Sequence, residues 1–210
     1  MHTNRPILAS AFARLLAPVN KRFGTWRGLI RTMLGQLQLA SGSLDEFRLR
    51  RPGQVRRIVF VCRGNICRSS FAERLAIGHG LPAASCGLHT RTGARANAAA
   101  VKAAARAGIA MDLHRTTDLK DFDLRSGDLL LAMEVGQARE LRERLRDRTD
   151  VGISLLGLWC PWSMPHLHDP FMLDDAYFDT VFLRIDQAVG ALARDLRRSA
   201  QTSKNLPQPV

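Results

Sequence analysis

The sequence predicts an α/β fold: a small, doubly wound, parallel four-stranded sheet with helices on both faces, preceded by a helical N-terminal extension. Three observations carry this expectation. Short apolar runs alternate with helical stretches, an order that argues for parallel strands covered on both faces. The chain has 210 residues, 46% apolar and 24% charged, enough for one substantial core plus an extension. The formal net charge of +12 is uneven, since residues 1–54 hold nine Lys or Arg against two Asp or Glu, which marks the first quarter off from the rest.

Residues 1–54 read as two amphipathic helices and a linker. In the first, Ile7, Leu8, Phe12, Leu15, Leu16 and Val19 share a face; in the second, Trp26, Leu29, Ile30, Met33, Leu34 and Leu37 form the stripe, with Arg27 and Arg31 opposite. Three fates are open for these stripes. They pack on the following domain or on each other; they lie on an anionic membrane surface, basic residues flanking apolar ones; or the acid-free, Arg-containing segment before Asp45 is an organelle transit peptide. Gly42, Pro52 and Gly53 make residues 41–53 a hinge or linker.

The main α/β domain is expected over residues 55–198. Val55–Val61 is the first strand, delivering Cys62 to its carboxyl end. Ser70–His79 is the first helix, closed by Gly78 and Gly80. Pro82–Leu88 is a short strand, and the alanine-rich Arg95–Gly108 a helix stopped by Gly108. Leu113–Leu124 is irregular with a short helix. Asp128–Met133 is a buried strand, Gln137–Arg148 a charged helix with pairs such as Glu140 and Arg144, and Val151–Leu156 the fourth strand. Asp174–Arg198 is the closing helix, with Phe178, Phe182, Ile185, Val189 and Leu192 inward. Residues 199–210 read as a disordered tail. No internal repeat is evident.

Chemistry concentrates between Val55 and Glu73. Strand, Cys62-Arg63-Gly64-Asn65-Ile66-Cys67-Arg68-Ser69 and helix start form an arrangement suited to a phosphate. Successive loop amides form an anion-binding concavity, and the helix start adds unpaired N–H groups and its positive dipole end. Gly64 and Asn65 accept the unusual dihedrals of a tight turn. Arg68 offers a planar fork for two phosphate oxygens. Amides and an arginine around Cys62 favour a thiolate, a nucleophile aimed at bound phosphorus. A zinc site from Cys62 and Cys67 would need four ligands, and Cys86 and Cys160 are isolated, so no metal is expected.

The stretch Cys62–Ser69 resembles the signature loop of the low-molecular-weight protein tyrosine phosphatases, matching C-x-G-N-I-C-R-S without a gap. Arg63 departs from a position commonly small or apolar there, and Ser70 stands where that family usually has proline; neither removes a catalytic group. The resemblance implies Cys62 as nucleophile and Arg68 as phosphate clamp, with the loop from Arg63 through Gly64, Asn65, Ile66 and Cys67 to Arg68 binding phosphate. It also implies a hydrogen-bond network behind the loop from Asn65, Ser69, Ser85 and His114, with Ser69 bonding the thiolate. Cys67 matches a cysteine that forms a protective disulfide with the nucleophile in this family.

A phosphate monoester of tyrosine needs its leaving oxygen protonated, and a carboxylic acid near the pocket does this before serving as base for water. Asp169, in His168-Asp169-Pro170-Phe171, is the candidate; proline stiffens the backbone after it, and the position matches the family's general-acid motif. Phe171 and Met172 follow where relatives line the cleft with aromatic residues. Trp159 and Trp162, in the same long loop, either wall the cleft or pack beneath it. The pattern Leu-Leu-Gly-Leu-Trp at 155–159 resembles bacterial members that act beside exopolysaccharide tyrosine kinases.

These features predict a cytoplasmic phosphatase acting on protein phosphotyrosine, without a cofactor, with a phosphotyrosine protein and a tyrosine kinase as partners. Two enzymatic alternatives share the loop. Arsenate reduction needs shuttle cysteines after Met133, and none occurs before Cys160. Phosphoarginine phosphatases tend to carry threonine at the position of Ile66. A third alternative is a membrane-docking phosphotyrosine-binding adaptor, against which every catalytic group is present. Four cysteines without paired spacing point to a reducing compartment. No apolar run reaches the length of about eighteen residues that a spanning helix needs. The basic excess suggests an acidic partner, and the absence of aromatic-basic interleaving argues against nucleic acid.

Overall fold

A computed structural model describes residues 20 and 22–204. The first expected amphipathic helix and residues 205–210 of the expected tail lie outside the described residues. Four parallel strands, β1 (Arg57–Cys62), β2 (Ala83–Gly87), β3 (Asp128–Ala132) and β4 (Gly152–Leu155), form one sheet in the order β2-β1-β3-β4. The expected parallel sheet is therefore observed, with the chain reversing its direction of growth at β1. Such a switch point opens a crevice beyond the strand carboxyl ends, and Cys62 stands at that edge.

Among the described residues, the longer helices are α1 (Trp26–Ala40), α2 (Arg68–Gly78), α3 (Ala98–Arg106), α4 (Val135–Arg144) and α5 (Asp175–Lys204). Because successive strand residues point to opposite faces, β1 and β3 feed two cores. Ile58, Phe60, Leu129 and Leu131 pack with Phe71 and Leu75 of α2 and with Phe178, Phe182 and Ile185 of α5. Val59, Val61, Leu130 and Ala132 pack with Ala138 and Leu141 of α4.

Several boundaries differ from expectation for local reasons. α3 starts at Ala98 rather than Arg95 because the Asn97 side chain caps it, accepting from the amides of Ala99 (2.9 Å) and Ala100 (3.1 Å). α4 starts and ends earlier than the charge pattern suggested. α5 is capped by Asp174, whose Oδ1 accepts from the Tyr177 amide at 2.8 Å. It continues to Lys204, so residues 199–204 are helix and not tail.

The expected linker is not a hinge. Leu44 and Phe47 are fully buried in the core beneath α4, and Ser154 of β4 donates to the Phe47 carbonyl at 2.5 Å. This ties the extension to the sheet.

Helix α1 forms where its stripe predicts, capped by Thr25, but it is seated by the opposite face. Gly28 and Gly35 are its buried residues. A Cβ at Gly35 would lie 3.1 Å from Pro165 Cγ, and one at Gly28 would lie 3.2 Å from His168 Cδ2. Gln36 donates to the Ser163 carbonyl at 2.7 Å. α1 thus crosses the segment leading to Asp169, while Trp26, Ile30, Met33, Leu34 and Leu37 remain exposed.

Candidate active site

The buried strand β1 ends at Cys62, and the chain turns over Gly64 and Asn65 into α2. Asn65 takes φ +53°, a left-handed conformation that asparagine tolerates better than most residues. Gly87 of β2 passes behind the loop so closely that a Cβ there would lie 3.1 Å from both the Arg63 carbonyl oxygen and the Asn65 amide nitrogen. The loop carbonyls are tied outward. Those of Cys62, Arg63 and Ile66 accept from the amides of Leu88 (3.0 Å), His89 (2.8 Å) and Asn97 (2.9 Å). Among the described residues, the amides of Arg63, Gly64, Ile66 and Cys67 have no protein acceptor, which leaves them for an anion.

Hydrogen-bond directions around the sulfur follow from donor counting. The Asn65 amide donates to Cys62 Sγ at 3.2 Å. The Thr117 amide donates to Asn65 Oδ1 at 2.9 Å, so Nδ2 carries the two remaining protons. They go to Ser69 Oγ (2.9 Å) and Ser85 Oγ (2.8 Å). Each serine then has one proton to give. Ser85 gives its own to Glu73 at 2.6 Å, and Ser69 Oγ lies 3.0 Å from Cys62 Sγ, which receives the other. His114 closes the back of the loop. Burial holds its imidazole below the ordinary value, and Nε2–H of the neutral ring donates to the Asn65 carbonyl at 2.8 Å. The four residues expected behind the loop are thus in one network with Cys62, and Thr117 and Glu73 extend it.

Arg68 is fully buried. Its Nη1 donates to Glu134 at 2.6 Å and to the Leu167 carbonyl at 2.7 Å, and its Nη2 pairs with Asp169 at 2.6 Å. Burial disfavours the charge, but Asp169, Glu134 and Cys62 outweigh it and hold the guanidinium protonated. Its Nε is buried without a partner among the described residues. Burial also works against the Glu134 carboxylate; Arg68 and His166 overcome this and hold the carboxyl below its ordinary value. Cys67 sits in the same loop yet is a different group: burial, then the Cys62 and Asp169 charges, push its thiol far up. All four cysteines are free.

The cradle measures about 200 Å³ and is lined by the loop, His89, Asp169 and Phe171. Asp169 has one oxygen on Arg68 and the other accepting from the Phe171 amide at 3.2 Å. Met172 does not line the cradle; it has φ +63° and points outward. Neither tryptophan walls the pocket. Trp159 packs against the core and donates to Asp195 at 3.2 Å, and Trp162 is exposed. Among the described residues, no cluster of His, Cys, Asp or Glu has metal-binding geometry, and no helix is long and apolar enough to cross a membrane.

Glu134 was not singled out by the sequence. Its signal was positional: it follows the buried run of β3 at the carboxyl edge of a parallel sheet, where ligand sites gather.

Residues 57–202 match the low molecular weight phosphotyrosine protein phosphatase family. The low molecular weight protein-tyrosine-phosphatase Etp of Escherichia coli K12 is 31% identical over 146 residues, covering 67% of this chain and 95% of that one. Among solved structures, the tyrosine phosphatase Wzb from Escherichia coli K30 in complex with sulphate is 26% identical with a TM-score of 0.57, covering 68% of this chain and 99% of that one. The YwlE arginine phosphatase from Geobacillus stearothermophilus shares the fold, with a TM-score of 0.62 at 24% identity over 73% of this chain and 99% of that one. With the matched region carrying the whole loop, its supporting network and the Asp-Pro segment, this chain belongs to the low molecular weight phosphotyrosine protein phosphatase family.

Proposed function

We propose that the chain hydrolyses protein phosphotyrosine through a phosphocysteine on Cys62. The observation that carries this is the sulfur at the floor of the cradle, held by the Asn65 amide and the Ser69 hydroxyl beside a buried arginine. The inward loop amides and Arg68 bind the nonbridging phosphate oxygens and hold the charge that spreads over them in transfer. The Cys62 thiolate attacks phosphorus; the P–S bond forms as the bond to the tyrosine oxygen breaks. The incoming phosphate displaces Asp169 from Arg68, and the freed carboxylate takes up a proton from solvent or from the phosphate monoanion and gives it to that oxygen. Asp169 then takes a proton from water as the water attacks phosphorus, releasing phosphate and regenerating the thiolate.

Cys62→Ser is expected to abolish turnover of phosphotyrosine peptides while retaining phosphate-analogue binding; hydrolysis by that variant defeats the assignment. Asp169→Asn is expected to lower kcat by about 10²–10³-fold, within the range of general acid–base contributions. Phosphotyrosine is preferred over phosphoarginine because Ile66, not threonine, lines the cradle; comparing both phosphoamino acids in one assay decides. Arsenate reduction is disfavoured because Cys160 is buried in the core and lines no part of the cradle. The resemblance of residues 155–159 supports a substrate supplied by an exopolysaccharide tyrosine kinase.

A second reading concerns location. Trp26, Ile30, Met33, Leu34 and Leu37 form an exposed stripe beside Arg22 and Arg27, in a segment of strong positive charge. This supports attachment to an anionic membrane surface, apolar residues entering the headgroup region and arginines pairing with lipid. The full chain is expected to sediment with vesicles containing phosphatidylserine, and a Trp26→Ser, Met33→Ser, Leu37→Ser variant to stay in the supernatant. If both stay in the supernatant, this reading fails.

A further inference from the structure

α1 changes the surroundings of the phosphate cradle. Arg63, His89 and Asp169 line both the cradle and a neighbouring cavity of about 560 Å³. The far wall of that cavity is α1, through Arg31, Leu34, Gly35 and Gln38, and its near wall is the first turns of α4.

The charges around this cavity are unbalanced. Its acids do not compete for the cations: Glu134 is on Arg68 at 2.6 Å, Glu140 is on His89 at 2.8 Å and Arg144 at 2.5 Å, and Asp169, on Arg68 at 2.6 Å, is neutral as the proton donor once phosphate displaces it. The cations themselves are under-paired. Arg63 and Arg139 are exposed and have no ion-pair partner among the described residues, and Arg31 reaches Glu134 only at 3.8 Å. The start of α4 adds the positive end of a ten-residue helix, with open space above Gly136. Leu34, Leu88 and Val135 supply apolar surface for a side-chain stem.

We infer that this cavity is a substrate subsite that takes the carboxylate of an Asp or Glu flanking the phosphotyrosine. The inference rests on the phosphatase reading, since it assumes a phosphotyrosine in the adjoining cradle. A carboxylate carried on the same peptide is held at a limited distance from the phosphate and meets three under-paired guanidinium groups. Exposed pairs of this kind are individually weak but act together, and salt screens them. The subsite therefore acts on KM, because the carboxylate is bound alike in ground state and transition state.

The test compares the full chain on two phosphotyrosine peptides, one flanked by Glu and one by Gln at the same positions, and on p-nitrophenyl phosphate. The Glu peptide is expected to have a KM lower by about three- to tenfold at low salt, the gap closing as salt rises, with kcat similar. Arg139→Glu and Leu34→Glu, both on exposed helix positions, each remove the gap while leaving p-nitrophenyl phosphate turnover unchanged, and Arg139→Lys retains most of it. Equal KM for the two wild-type peptides, with p-nitrophenyl phosphate still hydrolysed, overturns the subsite and leaves the phosphatase. A gap that survives both charge insertions overturns it as well. No turnover of any substrate overturns the phosphatase reading and the subsite with it.

Discussion

Helices α1 and α5 carry the same kind of signal and meet opposite fates. Each has a stripe of large apolar residues, five in α5 and six in α1, of which Leu29 is half-buried. In α5, Phe178, Phe182, Ile185, Val189 and Leu192 are at most 2% exposed; in α1, Trp26, Ile30, Met33, Leu34 and Leu37 are at least 44% exposed. α5 is seated by its stripe, α1 by two glycines and Gln36 on the other face and by Leu39 at its end. The difference teaches that a hydrophobic stripe fixes which residues share a face but not which face the fold covers. Burial goes to the face whose shape fits. The glycines let α1 lie close over the Pro165–His168 segment, where a helix presenting leucines would stand off.

The comparison breaks first at α5 if it is wrong. Phe182 stacks on Phe71 of α2 with centroids 3.9 Å apart and meets Phe178 edge-on at 6.0 Å. Phe182→Ala removes that contact from the middle of a core and is expected to cost about 3–5 kcal/mol. Chemical denaturation measures it. A loss under about 1 kcal/mol would mean that α5 is held no more firmly than α1's outer face.

The seat of α1 differs in kind, because it covers titratable groups. His166 lies beneath Gly35, and burial pushes its imidazole from 6.5 down to about 4; the nearby Glu134 carboxylate only partly offsets this. At neutral pH the ring is therefore neutral. As pH falls below 6.5 the unfolded chain takes up a proton that the folded chain refuses until about 4. The His166 contribution to stability is thus complete above 6.5, shrinks across that interval and is constant below it, a total of about 3 kcal/mol. His166→Asn is expected to flatten this part of the stability–pH curve. Parallel curves for the two proteins would show that α1 does not seal the ring.

Gly35 tests the seat by shape. The gap to Pro165 leaves little room for a Cβ, and a leucine has no exit between a helix and a proline ring. Gly35→Leu is expected to destabilise by about 1–3 kcal/mol through overpacking and to open the cavity beside the cradle. Unchanged stability would mean that the glycine is incidental.

What the sequence made legible is what one stretch of chain decides locally. The run from β1 through Gly64, Asn65 and Arg68 announced a phosphate cradle because strand, turn and helix start all lie within a few residues of one another. The partners that complete it come from afar: Glu134 is 66 residues from Arg68, and Thr117 is 52 from Asn65. Neither pairing follows from spacing without the strand order. The burial of Leu44 and Phe47 was hidden for a similar reason, two apolar residues in a polar, glycine-bearing segment that gain meaning only once β4 and α4 stand beside them. Glycine is a weak helix former, and nothing in the sequence around Gly28 and Gly35 indicates that a loop more than a hundred residues later lies against them.

The smallest expected effect is the sharpest test of the comparison. Leu37 is two-thirds exposed, so its side chain already meets water in the folded chain as it does in the unfolded one. Little apolar surface is withdrawn from solvent there, and Leu37→Ser should change stability by no more than about 0.5 kcal/mol, most of it the lower helix propensity of serine. The same change at Leu192 of α5, which is fully buried, deletes the side chain from the core and leaves a hydroxyl without a planned partner, costing several-fold more, about 3 kcal/mol or above. Urea midpoints of the two variants therefore separate widely. If instead they coincide, Leu37 is covered in solution by another part of the protein or by a second molecule, and the outer face of α1 is an interface and not a surface. Vesicle sedimentation of the Leu37 variant then separates lipid from protein as the cover, since only a lipid contact shows a dependence on anionic headgroups.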